Sequence, residues 1–254
     1  MYVNRLMHGS KFAFYYTYQN VYMKIQHYCS LLVASLLATA CTYNTTLIEN
    51  IEIITPDQSV NALKEGNKRF VGDHPTKYHK DLSQALVLKE GQHPHSVVIA
   101  CSDSRVPVEL LFDQGFGDIF VVRTAGNAVV GNMVQGSVDY AVNHLGVKSI
   151  VVLGHTSCGA ITGVVSSGKN AHDAHGHGDD GAVPAMIERL GKEIPSYKGK
   201  SDCLNEAIKA NVMVQANKLA KLPHIKEKVA QGKLSVVPAI YDLCDGKVYF
   251  LTEK

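Results

Sequence analysis

The chain predicts an α/β fold: a mainly parallel sheet flanked by helices on both faces, with an antiparallel edge strand and a helical N-terminal arm. Three observations carry that prediction. Short, almost wholly apolar runs at 96–100, 118–123 and 149–153 read as strands buried on both faces. Segments with helical spacing separate them, as crossover connections in a parallel sheet require. Near the end, two further apolar runs flank Cys244-Asp245-Gly246, a turn that folds one strand back on the other.

The chain has 254 residues, enough for one large domain with a full core. Its 25 Lys and Arg nearly balance its 23 Asp and Glu, so no basic nucleic-acid footprint is present. Residues 1–41 differ from the rest: they hold Arg5, Lys11 and Lys24, no acidic residue, and six of the twelve Tyr. From Met23 a short basic start leads into the apolar run 30–41, too short to span a bilayer comfortably. This looks like a bacterial secretory signal, with Met23 a better start than Met1 and residues 1–22 an upstream extension. Ala38-Thr39-Ala40-Cys41 is similar to a lipoprotein cleavage site, although Leu is preferred where Ala38 stands. The expectation is an exported protein, periplasmic or in the cell envelope, with a possible lipid anchor on Cys41. Residues 42–55 read as a polar, β-branched tether.

From Pro56 the pattern turns helical, with Val60, Leu63, Phe70 and Val71 assigned to one side. A second helix is expected over 82–88, closed by Gly91. After the first strand, 106–112 suggests a short helix with Pro107 inside its first turn. Gly115 and Gly117 break it before the second strand. Helical spacing resumes over 133–145 and stops at Gly146. The third strand is followed by a helix and turn over 161–170. Residues 171–181 hold His172, His175, His177 and three Asp among glycines, which reads as a loop. It is either a solvated insertion or a secondary metal-collecting or proton-relay loop. Helices are expected at 183–190 and 204–222, with Pro223 as a stop. Strands at 234–242 and 247–251 close the fold.

The chemistry gathers where strands end, the edge at which open α/β sheets bind ligands. Cys101-Ser102-Asp103-Ser104-Arg105 leaves the first strand with a thiol, a carboxylate and a guanidinium at alternate positions. Arg105 could hold Asp103 by two parallel hydrogen bonds, and Asp103 is itself a possible metal ligand. Gly154-His155-Thr156-Ser157-Cys158-Gly159-Ala160 leaves the third strand. Cys101, His155 and Cys158 supply two thiolates and an imidazole, a donor set suited to Zn²⁺. Three protein ligands leave a tetrahedron open, the catalytic rather than the structural arrangement.

These motifs, with Gly117-Asp118-Ile119-Phe120-Val121-Val122-Arg123-Thr124-Ala125-Gly126-Asn127, resemble the β-class carbonic anhydrases over about 56–251. The resemblance makes 56–254 one domain of that class and implies reversible hydration of CO₂ to bicarbonate by zinc-bound hydroxide, with one Zn²⁺ per subunit. It assigns zinc to Cys101, His155 and Cys158, and a catalytic dyad to Asp103 and Arg105; Asp103 can also close the zinc shell at rest. It implies substrate-binding roles for Gln92, Phe120 and Tyr140 at a dimer interface, as in the plant-like branch. Ala125 stands where that branch has Val. The other branch inhibits itself with bicarbonate at a Trp–Arg–Tyr site; Arg123 matches its arginine, but the chain has no Trp. A homodimer or higher homo-oligomer follows, with the N-terminal arm packed on a partner. Rival readings are hydrolysis of carbonyl sulfide or carbon disulfide on the same scaffold, and a zinc-carrying protein without turnover. Cys203 and Cys244 either pair or remain buried free thiols.

Overall fold

A computed structural model of the chain describes residues 55–167 and 181–251. The signal-like segment, the tether up to residue 54 and the three histidines of the 171–181 loop lie outside them. Five strands form one sheet in the order β2-β1-β3-β4-β5: β1 Ser96–Cys101, β2 Ile119–Thr124, β3 Ser149–His155, β4 Ser235–Tyr241 and β5 Val248–Phe250. The first four are parallel, and β5 returns antiparallel on β4, pairing Tyr241 with Val248.

β1 and β3 lie at the centre and are buried along their whole length, as unbroken apolar runs require. Alternate side chains serve opposite cores. Val97, Ile99, Ile150 and Val152 face one side, against α4 (Asn132–Asn143) and α7 (Leu204–Ala220). Val98, Ala100, Val151 and Leu153 face the other, against Leu63 of α1 (Pro56–Val71) and Leu111 of α3 (Val108–Leu111). Each fully buried Val, Leu or Ile removes enough apolar area to contribute about 1.5–3 kcal/mol. The remaining helices are α2 (Leu82–Val87), α5 (Gly159–Ser166), α6 (Ala182–Glu193) and α8 (Pro223–Ala230). No helix among the described residues is long and apolar enough to cross a membrane.

Several local expectations are corrected. Of the apolar residues expected on one side of α1, Leu63 is buried and Phe70 packs against the same core, but Val71 is 39% exposed, and Ser59, Gly66 and Asn67 complete the inward face. Small and polar residues face inward there because the backbone approaches closely. A Cβ on Gly66 would lie 1.7 Å from the Phe112 carbonyl oxygen, and Asn67 donates to the carbonyls of Leu111 and Gly246. Pro107 precedes α3 as its N-cap instead of lying in the first turn. The 204–222 helix ends at Ala220, ahead of Pro223 as expected, but Pro223 also opens α8, where its missing N–H costs nothing. The arm expected to pack on a partner divides. α1 is seated on its own sheet, whereas α2 buries no residue and leaves Leu82, Leu86 and Val87 exposed. Cys203 and Cys244 are free thiols but not buried ones: Cys203 is half-buried and Cys244 exposed. Cys244 sits in the β4–β5 turn, where its N–H donates to the Asp242 carboxylate.

Candidate metal centre

The β1–β3 register pairs Ala100 with Leu153, so Cys101 and His155 leave the sheet at the same carboxyl edge. Cys101 is the last residue of β1, and His155 the last of β3. Ser157 takes a left-handed conformation, φ +56°, and the chain turns so that Cys158 becomes the N-cap of α5. All three side chains are buried, and one ligand atom from each lies within 4.8 Å of the others.

His155 fixes its own tautomer. Its Nδ1–H donates to the Thr156 carbonyl at 2.9 Å, which leaves the Nε2 lone pair free. That Nε2 is buried and has no hydrogen-bond partner. An unpartnered buried acceptor costs about 1–3 kcal/mol unless something binds it. A ring N–H on a backbone carbonyl with the other nitrogen free is the usual posture of a metal-ligating histidine. The sulfurs complement it. The two thiols act on each other: the Cys158 side chain lowers the pKa of Cys101, and the Cys101 side chain together with burial raises that of Cys158, so one thiolate is favoured in the pair. The donor set therefore fits Zn²⁺.

Asp103 stands beside this cluster and outside it. Its Oδ1 accepts from the Arg105 N–H at 3.0 Å and from Nε at 2.9 Å, and its Oδ2 from Nη2 at 2.7 Å. Oδ2 is 3.7 Å from His155 Nε2. The Arg105 hydrogen bonds hold the carboxyl well below the usual carboxylate range. Arg105 Nη2 also donates to the Ser157 carbonyl at 3.2 Å, which ties the two ligand-bearing loops together.

A cavity of about 240 Å³ opens beside the cluster, lined by Cys101, Ser102, Asp103, Ala125, Gly159, Ala160, Val183, Met186 and Ile187. Gln92, Phe120 and Tyr140 do not line it. Phe120 pairs with Val97, four residues before Cys101 along β1 and so about 13 Å from it at the usual strand rise. Gln92 is exposed ahead of β1, and the 47% exposed Tyr140 lies 6.3 Å from Phe120, ring centre to ring centre. All three belong to the side of the fold away from their own chain's cluster.

Two sets of contacts were not foreseen from the sequence, the first at Arg123, noted there only as the match to the other branch's arginine. Arg123 reaches back from β2, donating through Nε to the Cys101 carbonyl at 3.2 Å and through Nη2 to the Asp103 carbonyl at 2.7 Å. A lone arginine within an apolar strand was the available signal. Asn211 and Gln215, buried on the inner side of α7, connect to the cluster through Gly126. Their spacing of four was visible, but not the face they occupy.

An α/β sheet with a buried Cys–His–Cys cluster and an adjoining carboxylate–guanidinium pair defines a metalloenzyme site of the open kind. A family description for carbonic anhydrases matches residues 96–248. Carbonic anhydrase 2 of Mycobacterium tuberculosis is 38% identical over 190 residues, 73% of this chain and 88% of that protein. A carbonic anhydrase of Mycolicibacterium smegmatis is 39% identical, over 74% of this chain and 89% of its own length. Among solved structures, a tetrameric β-carbonic anhydrase of Sordaria macrospora superposes with a TM-score of 0.57 at 26% identity, covering 74% of this chain and 94% of that one. A Coccomyxa β-carbonic anhydrase in complex with acetazolamide also gives 0.57 at 26%, covering 74% and 84%. The chain belongs to the carbonic anhydrase family, in its β class.

Proposed function

We propose that the protein catalyses the reversible hydration of CO₂ to bicarbonate and a proton, with one Zn²⁺ per subunit on Cys101, His155 and Cys158. The observation that carries this reading is the buried, unpartnered Nε2 of His155 facing two cysteine sulfurs. The chemistry a zinc ion supplies in such a site is hydroxide near neutral pH, because it lowers the pKa of water to about 7. The protein's own residues do the rest. Ala125, Ala160, Met186 and Ile187 give the cavity an apolar wall that admits a neutral, apolar gas without a charged anchor. Asp103 is ionised and an acceptor only, so it takes a hydrogen bond from the attacking oxygen and directs the lone pair of that oxygen at carbon. Arg105 keeps Asp103 charged and turned away from the metal ligands. Released from Arg105, the same carboxylate, 3.7 Å from His155 Nε2, would compete for the open position of a bound metal; hydroxide, the rival for that position, forms only as pH rises, so activity is expected to rise with pH.

Gln92, Phe120 and Tyr140 serve the site of a neighbouring subunit in this reading, and the protein is a homo-oligomer. The support is their position away from their own cluster, together with the tetrameric assembly of the Sordaria relatives. The test is stopped-flow CO₂ hydration on zinc-assayed protein across about pH 6–9, the span around the zinc-water pKa. Cys158→Ala loses zinc and turnover together. Asp103→Ala keeps its zinc and loses about 10²-fold in kcat, the scale of removing one oriented catalytic group. Zinc-loaded protein without hydration across that range would overturn the assignment, and a flat pH profile would remove the competition between carboxylate and hydroxide.

A further inference from the structure

A buried polar relay runs from α7 to one of the cluster's sulfurs. The Gly126 N–H donates to Cys101 Sγ at 3.3 Å. Gly126 is left-handed, φ +66° and ψ 25°, and a Cβ there would lie 3.2 Å from both Ala160 Cβ and Leu190 Cδ1. The next peptide is held from behind: Asn211 Nδ2 donates to the Gly126 carbonyl at 2.9 Å, on the far side of the Gly126 Cα from that N–H, and so pins the left-handed turn that aims it. Asn211 is oriented in turn by Gln215, whose Nε2 donates to Asn211 Oδ1 at 3.2 Å and whose Oε1 accepts from the Val129 N–H at 2.9 Å. Asn211 is 1% exposed and Gln215 is not exposed at all. Buried amides on a core-facing helix cost stability unless hydrogen-bonded, so their bonding to the strand-end loop has a structural cause at least. The relay ends on a sulfur and not in the core.

We propose that Asn211 is a positioning residue of the metal centre: by pinning the left-handed backbone of Gly126 at its carbonyl, it keeps the Gly126 N–H on the Cys101 sulfur and thereby sets the donor strength of that thiolate. An N–H aimed at sulfur withdraws charge and fixes a lone pair away from the cluster. Partners of this kind behind a ligand typically change metal affinity or activity by about 10–100-fold. The proposal rests on the metal reading of Cys101, His155 and Cys158, and the experiment separates the two.

The test uses the full chain loaded with Co²⁺ in place of Zn²⁺, read by the sulfur-to-cobalt charge-transfer band, with Zn²⁺ affinity measured by chelator competition. In Asn211→Leu the freed Gly126 backbone turns its N–H from the sulfur. The band moves to lower energy because the sulfur becomes the stronger charge donor, and the Zn²⁺ Kd rises about tenfold because the thiolate is no longer held ionised and in place for the metal. Gln215→Met, which leaves Asn211 in place but unoriented, gives a smaller change in the same direction and decides the matter if Asn211→Leu fails to fold. Asn67→Ala is the control. Asn67 is a buried asparagine on α1 that also donates to backbone carbonyls, and its loss lowers stability without moving the band or the Kd. An unchanged band and Kd in the Asn211 and Gln215 variants would overturn the proposal alone. Wild-type protein that takes up neither metal would overturn the metal reading with it.

Discussion

At the scale of single residues, the division of labour between Asp103 and Arg105 decides what the cluster can do. A carboxylate this close to His155 could itself bind a cation. Three donors from one arginine hold it elsewhere, two of them a bidentate guanidinium pair that is stronger than neutral hydrogen bonds. Removing the guanidinium therefore frees Asp103 to compete for the metal and also returns its pKa toward the ordinary range. Arg105→Gln should keep one zinc per chain and lose about 10²-fold or more in kcat/KM, the scale of losing one preorganised electrostatic partner. Stopped-flow kinetics beside metal analysis checks this. Unchanged kinetics would reduce Arg105 to a loop tie through Ser157. That pair was legible in the sequence because a carboxylate and a guanidinium two residues apart share one loop. Arg123 was not, because its partners are carbonyls of another strand, 20 and 22 residues away along the chain.

At the scale of elements, the seat of α1 on the sheet depends on a buried hydroxyl and imidazole network. Ser59 Oγ lies 2.7 Å from Ser149 Oγ and 3.0 Å from His95 Nδ1, and His95 Nε2 lies 3.0 Å from Gln114 Oε1. Burial holds the His95 pKa below its ordinary 6.5, against the opposing pull of Gln114 and the Asp118 charge. The unfolded chain thus takes up a proton as pH falls through about 6.5, while the folded one resists it. The stability His95 contributes is present above that pH and is lost on descending toward the lowered folded value. Urea midpoints at about pH 8 and about pH 5.5 should differ more for the wild type than for His95→Gln, which cannot titrate. Equal differences in the two proteins would show that His95 is not the group responsible. This network explains why the apolar pattern placed Leu63 and Phe70 on the core but missed the polar part of the inward face of α1. Its inward turn is set by hydroxyl and amide partners from β3 and the loops, which hydrophobic spacing does not report.

At the scale of the whole molecule, β2 is one of the two edge strands, and no strand among the described residues pairs with its outer side. Such an edge needs a cover. Beside it, Tyr140 is exposed against Phe120, and α2 exposes Leu82, Leu86 and Val87. A second subunit across this side would cover the edge and bring Gln92, Phe120 and Tyr140 to a site that its own chain leaves open. Tyr140→Glu then weakens assembly and catalysis together. Sedimentation velocity should show a smaller species than the wild type, with kcat/KM down about tenfold or more, the loss of about 1.4 kcal/mol of transition-state stabilisation. A variant that stays assembled with full activity would remove Tyr140 from the interface.

What the sequence by itself determined were the properties written locally in the chain. Unbroken apolar runs specify buried parallel strands. Ligand types placed directly after them specify where donors emerge, and the H-x-x-C spacing specifies two donors from one turn. The tertiary structure alone decided which faces turn inward and which distant groups meet. It paired Asp103 with Arg105 outside the Cys101–His155–Cys158 group, set Ser59 and Asn67 inward on α1, and laid Asn211 against a peptide 85 residues away in sequence. The physical reason is the range of the forces involved. Burial patterns repeat within a few residues of one another and can be read along the chain. A buried hydrogen bond forms only where packing has already brought donor and acceptor within about 3 Å.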